Sequence, residues 1–173
     1  IFSEEKGHDM LVEAAKLVLP KYPDWQWDLY GTGDTLDEIR KKIEEYGLEK
    51  QLILKGNVKD VYQVYGDYAF LVLPSYREGL PLVLLEAKAL GLPMISFDIT
   101  TGPREIINEG EDGYLIPPYH IEEMAAKIET LIIDEKQRIL FSKNTEKGIE
   151  KFCKRRIYSE WEELIETLCG GEE

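Results

Sequence analysis

The chain has 173 residues, with 34 acidic against 21 basic side chains for a formal net charge of −13, and is 43% hydrophobic and 32% charged. That length suits one globular domain able to bury a core without disulfides or a structural metal, so disorder is not expected. A pI near 4.7 excludes a domain whose main task is gripping nucleic acid or an anionic membrane, and leaves room only for a local basic pocket.

Ile1 to Gly7 reads as a polar loop, and His8 to Leu19 as a helix with Leu11, Ala14, Ala15 and Val18 on one face, stopped by Pro20. Residues 26–30 predict a strand, Gly31-Thr32-Gly33-Asp34 a turn, and residues 35–46 a helix with Leu36, Ile39 and Ile43 inward and Gly47 as its stop. Residues 51–54 are strand-like and 61–65 a short helix. Residues 69–73 form a continuous apolar run of the kind buried in a parallel sheet. A helix over 81–90, a strand over 94–97, a short helical piece over 103–107 and a strand over 114–116 follow. From Ile121 the pattern is helical almost to the end, and Phe152, Tyr158, Trp161, Ile165 and Leu168 repeat as a packing stripe. The alternation predicts an α/β, Rossmann-like parallel sheet with helices on both faces. Ligands of such sheets bind at the carboxyl ends of the strands, which points to the loops after Tyr30, Leu54, Leu73 and Phe97 and to the segment around Lys6.

Cys153 and Cys169 lack the further ligands of a zinc site and read as reduced thiols of a cytoplasmic protein. His8 and His120 have no carboxylate or thiolate at metal spacing and read as surface histidines, and no Asp-x-Asp occurs. No apolar run reaches the roughly 20 residues of a membrane span. Gly31 and Gly33 lack the third glycine of a dinucleotide fingerprint, where Leu36 stands, so NAD binding is not expected.

The most informative stretch runs from Pro74 to Ala87. Pro81 suits a first helical position, while Gly79 and Leu80 offer no side-chain oxygen as a cap, so the first-turn N–H groups are open to an anion or to water. Glu86 sits in a helix apolar nearly all round, where a carboxylate needs hydrogen-bond donors. Ligand hydroxyls would supply them, and so would Lys88. Glu78 reads either as a site residue or as a solvated loop charge, and Lys6, opening a helix against its dipole, either as an anion ligand or as a solvated lysine.

These residues carry a resemblance. Pro-Ser-x-x-Glu-Gly-x-Pro-x-x-x-x-Glu-Ala over 74–87 is similar to the signature of family-four retaining glycosyltransferases of the GT-B fold. So are Gly91-Leu92-Pro93-Met94-Ile95, Thr101 to Ile107, Gly113 to Ile116, Lys6-Gly7 and Gly31-Thr32-Gly33. The resemblance runs from Ile1 to about Leu168 and implies the C-terminal, nucleotide-sugar-binding half of such an enzyme. It places the first strand, an arginine six residues before Lys6, and the N-terminal acceptor-binding domain of the same protein upstream of Ile1, and it turns the final helix toward that domain, so that part of the apolar stripe is uncovered in this chain.

The resemblance implies that Lys6 contacts the donor diphosphate, that Glu78 lies near the donor sugar and that Glu86 holds the ribose hydroxyls. It places the outer phosphate at the N–H groups of Leu82 and Val83, after Gly79, and brings Gly31, Gly33, Asn57, Val58, Gly102 and Glu105 to the donor. Helix capping accounts for Glu105 as well. The implied substrate is a nucleotide-diphosphate sugar, UDP-hexose more than a GDP sugar, used without metal or other cofactor for transfer with retention. The localisation it implies is cytoplasmic, with peripheral attachment at the inner membrane through the preceding domain. The alternatives are a non-catalytic Rossmann-like nucleotide-binding or regulatory module, which has no need of Glu78 beside a phosphate site, and a sugar-nucleotide epimerase, which would lack the Glu-Gly-x-Pro pattern.

Overall fold

A computed structural model describes residues 1–169. After a 3-10 turn at Glu4–Lys6 the elements are α1 (His8–Val18), β1 (Trp27–Tyr30), α2 (Leu36–Glu45), β2 (Leu52–Gly56), α3 (Tyr62–Tyr65), β3 (Leu71–Leu73) and α4 (Leu82–Ala89). They continue with β4 (Met94–Phe97), α5 (Pro103–Ile106), β5 (Gly113–Ile116), α6 (Ile121–Ile133), α7 (Glu135–Asn144), a 3-10 turn at Ile149–Phe152 and α8 (Lys154–Cys169). The predicted α/β alternation is present, with most boundaries within one or two residues.

All strand pairing is parallel, in two sheets: β1 with β2, and β3, β4 and β5 in that order. Strand β4 shows why its sequence is apolar throughout. Met94 packs with Leu84, Ala87 and Ile106 from α4 and α5 on one face, while Ile95 and Phe97 pack with Val18 of α1 and with Met124 and Ile128 of α6 on the other. A third cluster joins Phe2, Leu11, Val12, Ile39, Ile43 and Leu52 around α1, α2 and the first sheet. Between β1 and β3 lies a cavity of about 490 Å³, lined on one side by Trp27 to Tyr30 and on the other by Phe70 to Leu73. Trp25 and Phe70, with ring centroids 5.8 Å apart, and Tyr68, whose hydroxyl donates to Asp28 at 2.6 Å, bridge the gap. The cavity explains why β3, apolar in sequence, is only half-buried.

Four expectations need correction. The long C-terminal helix is three helices: Asp134 leaves helical geometry and caps α7 by accepting from the Gln137 N–H at 2.9 Å, and Gly148, at φ 78°, with the 3-10 turn after it separates α7 from α8. The stripe on α8 is uncovered along the helix and not only in part: Tyr158, Trp161, Ile165 and Leu168 are each more than half exposed, while Phe152, in the preceding turn, meets the core. Helix α4, though apolar nearly all round, buries one face, with Leu82 63% exposed. His8 is no surface histidine: it stacks on Phe2 at 4.1 Å, and its buried Nδ1 has no hydrogen-bond partner among the described residues.

Lys88 is among the largest fully buried side chains and forms an ion pair with Asp112, itself fully buried. Asp112 also accepts from the backbone N–H of Asn108 at 2.9 Å and from its side-chain amide at 2.8 Å, so both charges are satisfied. The pair ties α4 to the turn before β5. Removing one partner strands the other charge in the core, and we expect Lys88→Met to cost about 3 kcal/mol or more of stability in urea unfolding. Lys88→Met with Asp112→Leu should recover part of that loss, the Asn108 bonds remaining broken.

Burial lowers the His8 pKa from 6.5 to about 4. The folded value lies below the unfolded one, so the unfolded chain takes the proton first. Its neutral form therefore costs the fold nothing above pH 6.5, and stability falls as pH drops from 6.5 towards 4. His8→Gln should lose less melting temperature than the wild type across that window.

Candidate functional site

The site forms where the carboxyl ends of the strands meet the segment that opens α1. Gly7, at φ 64° and ψ 25°, ends the first 3-10 turn and starts α1. Its α-carbon approaches the loop after β3 so closely that an added Cβ would lie 2.0 Å from the Pro74 carbonyl oxygen. The neighbouring Tyr76 N–H donates to the Glu5 carbonyl at 2.8 Å. This contact brings Lys6 to Glu78, Nζ to Oε1 at 2.7 Å, with the Glu78 side chain 9% exposed and that of Lys6 32%. The anion that offsets a lysine ahead of a helix is thus supplied, in this state, by Glu78.

Helix α4 begins beside them. Pro81 is its N-cap rather than its first residue, with φ −73° and ψ 95°, and no side chain caps the helix. The Leu84 and Leu85 N–H groups bond back to the Pro81 carbonyl at 3.0 and 3.4 Å, which leaves Leu82 and Val83 with the two leading amides. Lys6, Glu78, Leu82 and Val83 all line the cavity between β1 and β3. Glu86, one turn further along α4, lies outside that lining.

Glu86 does not pair with Lys88, which is committed to Asp112. Its Oε2 accepts from the Tyr65 hydroxyl at 3.0 Å and its Oε1 from the Tyr62 hydroxyl at 3.3 Å. Burial, and then the bond to Glu86, push the Tyr65 phenol well above its usual range, while the Glu86 charge pushes up that of Tyr62. Both are neutral donors at physiological pH. Neither tyrosine stands out in the sequence; their spacing on one turn of α3 is the only local signal, and the contact with Glu86 is long-range.

The remaining predicted residues divide. Gly31 and Gly33 lie against the main chain of Ile1 and Phe2, where a Cβ on Gly33 would meet the Phe2 carbonyl at 2.1 Å. A close approach within the chain therefore accounts for that glycine. Asn57 joins the same turn through its amide, 3.4 Å from Thr32 Oγ1, and Val58 beside it is 37% exposed. Gly102 lies against the Gly79 carbonyl and the Pro81 ring, and Thr101 Oγ1 donates to the Glu78 carbonyl at 2.6 Å, so this loop borders the Lys6–Glu78 pair. Glu105 is exposed in the first turn of α5, and its side chain makes no hydrogen bond or ion pair among the described residues. Arg104, which could have served an anion, is held by Asp98. Among the described residues no group of three or more His, Cys, Asp and Glu could hold a metal ion, and no helix is long and apolar enough to cross a membrane.

Residues 2–148 match the family described as glycosyl transferases group 1. The poly(ribitol-phosphate) alpha-N-acetylglucosaminyltransferase of Staphylococcus aureus is 34% identical over 94% of this chain and 33% of its own length. The GtfA subunit of the UDP-N-acetylglucosamine–peptide N-acetylglucosaminyltransferase of Streptococcus gordonii is 33% identical over 95% of this chain, again 33% of its own length. The chain thus spans a third of the length of these relatives. Among solved structures, a point mutant of S. aureus TarM in complex with Fondaparinux, alpha-GlcNAc-glycerol and UDP gives a TM-score of 0.88 at 34% identity, over 92% of this chain and 33% of that one. Pneumococcal GtfA in complex with UDP and GlcNAc gives 0.85 at 30% identity, over 96% and 34%. The parallel, helix-flanked sheets match the GT-B glycosyltransferase architecture, and the chain belongs to the group 1 glycosyl transferases.

Proposed function

We propose that the chain is the donor-binding half of a retaining glycosyltransferase, taking a nucleoside-diphosphate sugar, a UDP-hexose, without a metal ion. The observation that carries this reading is the Lys6–Glu78 pair beside the uncapped start of α4, a cation and two leading amides on the same cavity. A diphosphate seated on the Leu82 and Val83 N–H groups would draw Lys6 from Glu78 to its own charge. Glu78 would then face the sugar, where positive charge develops as the bond from the anomeric carbon to phosphate breaks. Glu86 would accept from the two ribose hydroxyls. The turn at Gly31 and Gly33, with Asn57 and Val58, would border the base. In this reading the acceptor hydroxyl attacks the face that the phosphate leaves, and its proton passes to the departing phosphate oxygen, so configuration is retained and no protein nucleophile is required. The protein contributes electrostatic stabilisation of the leaving diphosphate and of the oxocarbenium-like sugar.

Among the described residues β1 pairs only with β2 and β3 only with β4, so each presents an unpaired edge beside the cavity. A parallel strand set between these edges would join the two sheets into one and fill the space between them, leaving Lys6, Glu78, Leu82 and Val83 around the carboxyl end of the cavity for the ligand. We assign that strand, and the acceptor-binding domain, to polypeptide preceding Ile1, and place the protein in the cytoplasm, with any membrane attachment through that domain.

Calorimetric titration with UDP tests this. The chain should bind UDP weakly, equally well with EDTA present, and should not turn over UDP-sugars repeatedly by itself. Glu86→Gln should weaken UDP about tenfold while the fold is kept, corresponding to about 1.4 kcal/mol. Glu78→Gln, which frees Lys6 from a partly exposed ion pair, should raise UDP affinity by up to about threefold and, in an enzyme with both domains, lower turnover. Unchanged affinity in Glu86→Gln would remove that residue from the site.

A further inference from the structure

Glu86 is read above as the ribose ligand, and its two oxygens are held very differently. Tyr65, 5% exposed, packs in the apolar cluster with Leu84, Ala87 and Met94, and its ring is fixed there. Its hydroxyl stands 3.0 Å from Glu86 Oε2 and 3.4 Å from the carbonyl oxygen of Val83. The single phenolic proton goes to the carboxylate, the charged and nearer acceptor. Tyr62 is 58% exposed, with its hydroxyl 3.3 Å from Oε1. No burial holds it, so a ligand hydroxyl can take its place.

Each carboxylate oxygen offers about two lone-pair directions. A donor from a rigid side chain on Oε2 restrains the plane of the carboxylate and leaves its remaining lone pairs for other donors. From these contacts we propose that Tyr65 is a positioning residue that fixes the Glu86 carboxylate for two vicinal hydroxyls of the ligand, and that Tyr62 is a displaceable donor satisfying Oε1 when no ligand is bound. The same Tyr65 hydroxyl lies next to Val83, whose amide is one of the two leading N–H groups of α4, so the ribose and phosphate ends of the site share one fixed point. This inference rests on the assignment of Glu86 to the ribose.

The test is a ligand-side cycle on the whole chain, with UDP and 2′,3′-dideoxy-UDP as probes, measured by calorimetry for wild type, Tyr65→Phe, Tyr62→Phe and Glu86→Gln. Wild type should prefer UDP, and Glu86→Gln should largely abolish the preference. Tyr65→Phe should weaken UDP about fivefold and the dideoxy nucleotide less than twofold, because the missing proton acts only through the hydroxyl contacts. Tyr62→Phe should not weaken UDP. An equal loss for both nucleotides in Tyr65→Phe, no loss at all, or a matching loss in Tyr62→Phe overturns the assignment of Tyr65 while leaving Glu86 in place. A wild type that does not discriminate the two nucleotides overturns the ribose reading and this inference with it. Should Tyr65→Phe not fold, the wild type still decides: the Tyr65 hydroxyl proton, followed by NMR, persists in the UDP complex under this proposal, and its loss on binding refutes it.

Discussion

The site depends on one close contact, that of Gly7 with the Pro74 carbonyl. A side chain at position 7 would meet that oxygen at 2.0 Å, and the positive φ of 64° disfavours any residue but glycine a second time. With the contact made, the turn before α1 and the loop after β3 become one surface, and Lys6 and Glu78, 72 residues apart in sequence, stand 2.7 Å apart. Without it the lysine would extend into solvent ahead of a helix whose dipole opposes it. The hydrogen bond from Tyr76 N–H to Glu5 and the packing of Phe2 against the first sheet hold the same seam.

A second constraint acts from behind. The buried Lys88–Asp112 pair fixes α4 from its inner face, while Tyr65 holds Glu86 from the side. A helix apolar nearly all round has little in its own pattern to set its rotation, because many rotations bury a similar area. The ion pair and the phenol specify one of them. That rotation turns Leu82 outward and places the Glu86 carboxylate where α3 can reach it.

Such non-local pairings mark where sequence reasoning stops. Strand β4 is legible to the residue because an apolar run buried on both faces leaves no other reading, and the inward face of α1 is legible because Leu11, Ala14, Ala15 and Val18 recur at helical spacing. The signature from Pro74 to Ala87 is legible as a motif, and so is the missing side-chain cap of α4. The partner of Glu86 is not: Lys88 is near in sequence but on the buried face, and the true partners come from α3. The α8 stripe has the period of a packed face, yet period alone says nothing about what is present to cover it. The division of the sheet into two is illegible for a like reason, since strand order is a property of the whole chain.

The charge balance gives the Lys6–Glu78 pair a further meaning. A chain with net charge −13 repels an anionic ligand at long range, so attraction has to be local and unscreened by other carboxylates. Among the described residues Lys6 is the one lysine or arginine that lines the cavity, while Arg104 is held by Asp98 and Lys88 by Asp112 away from it. Holding Lys6 on Glu78, whose side chain is 9% exposed, keeps both charges compensated when no ligand is bound, and so avoids the cost of an unpaired carboxylate in a largely dry setting. In the function proposed above, a diphosphate arriving at α4 would exchange one anionic partner of the lysine for another, and the helix amides would meet the surplus charge. The carboxylate released by that exchange would no longer be neutralised, and on that proposal it would face the cationic sugar that a departing phosphate leaves. One ion pair can thereby serve as the resting state of two charges that are needed separately during transfer.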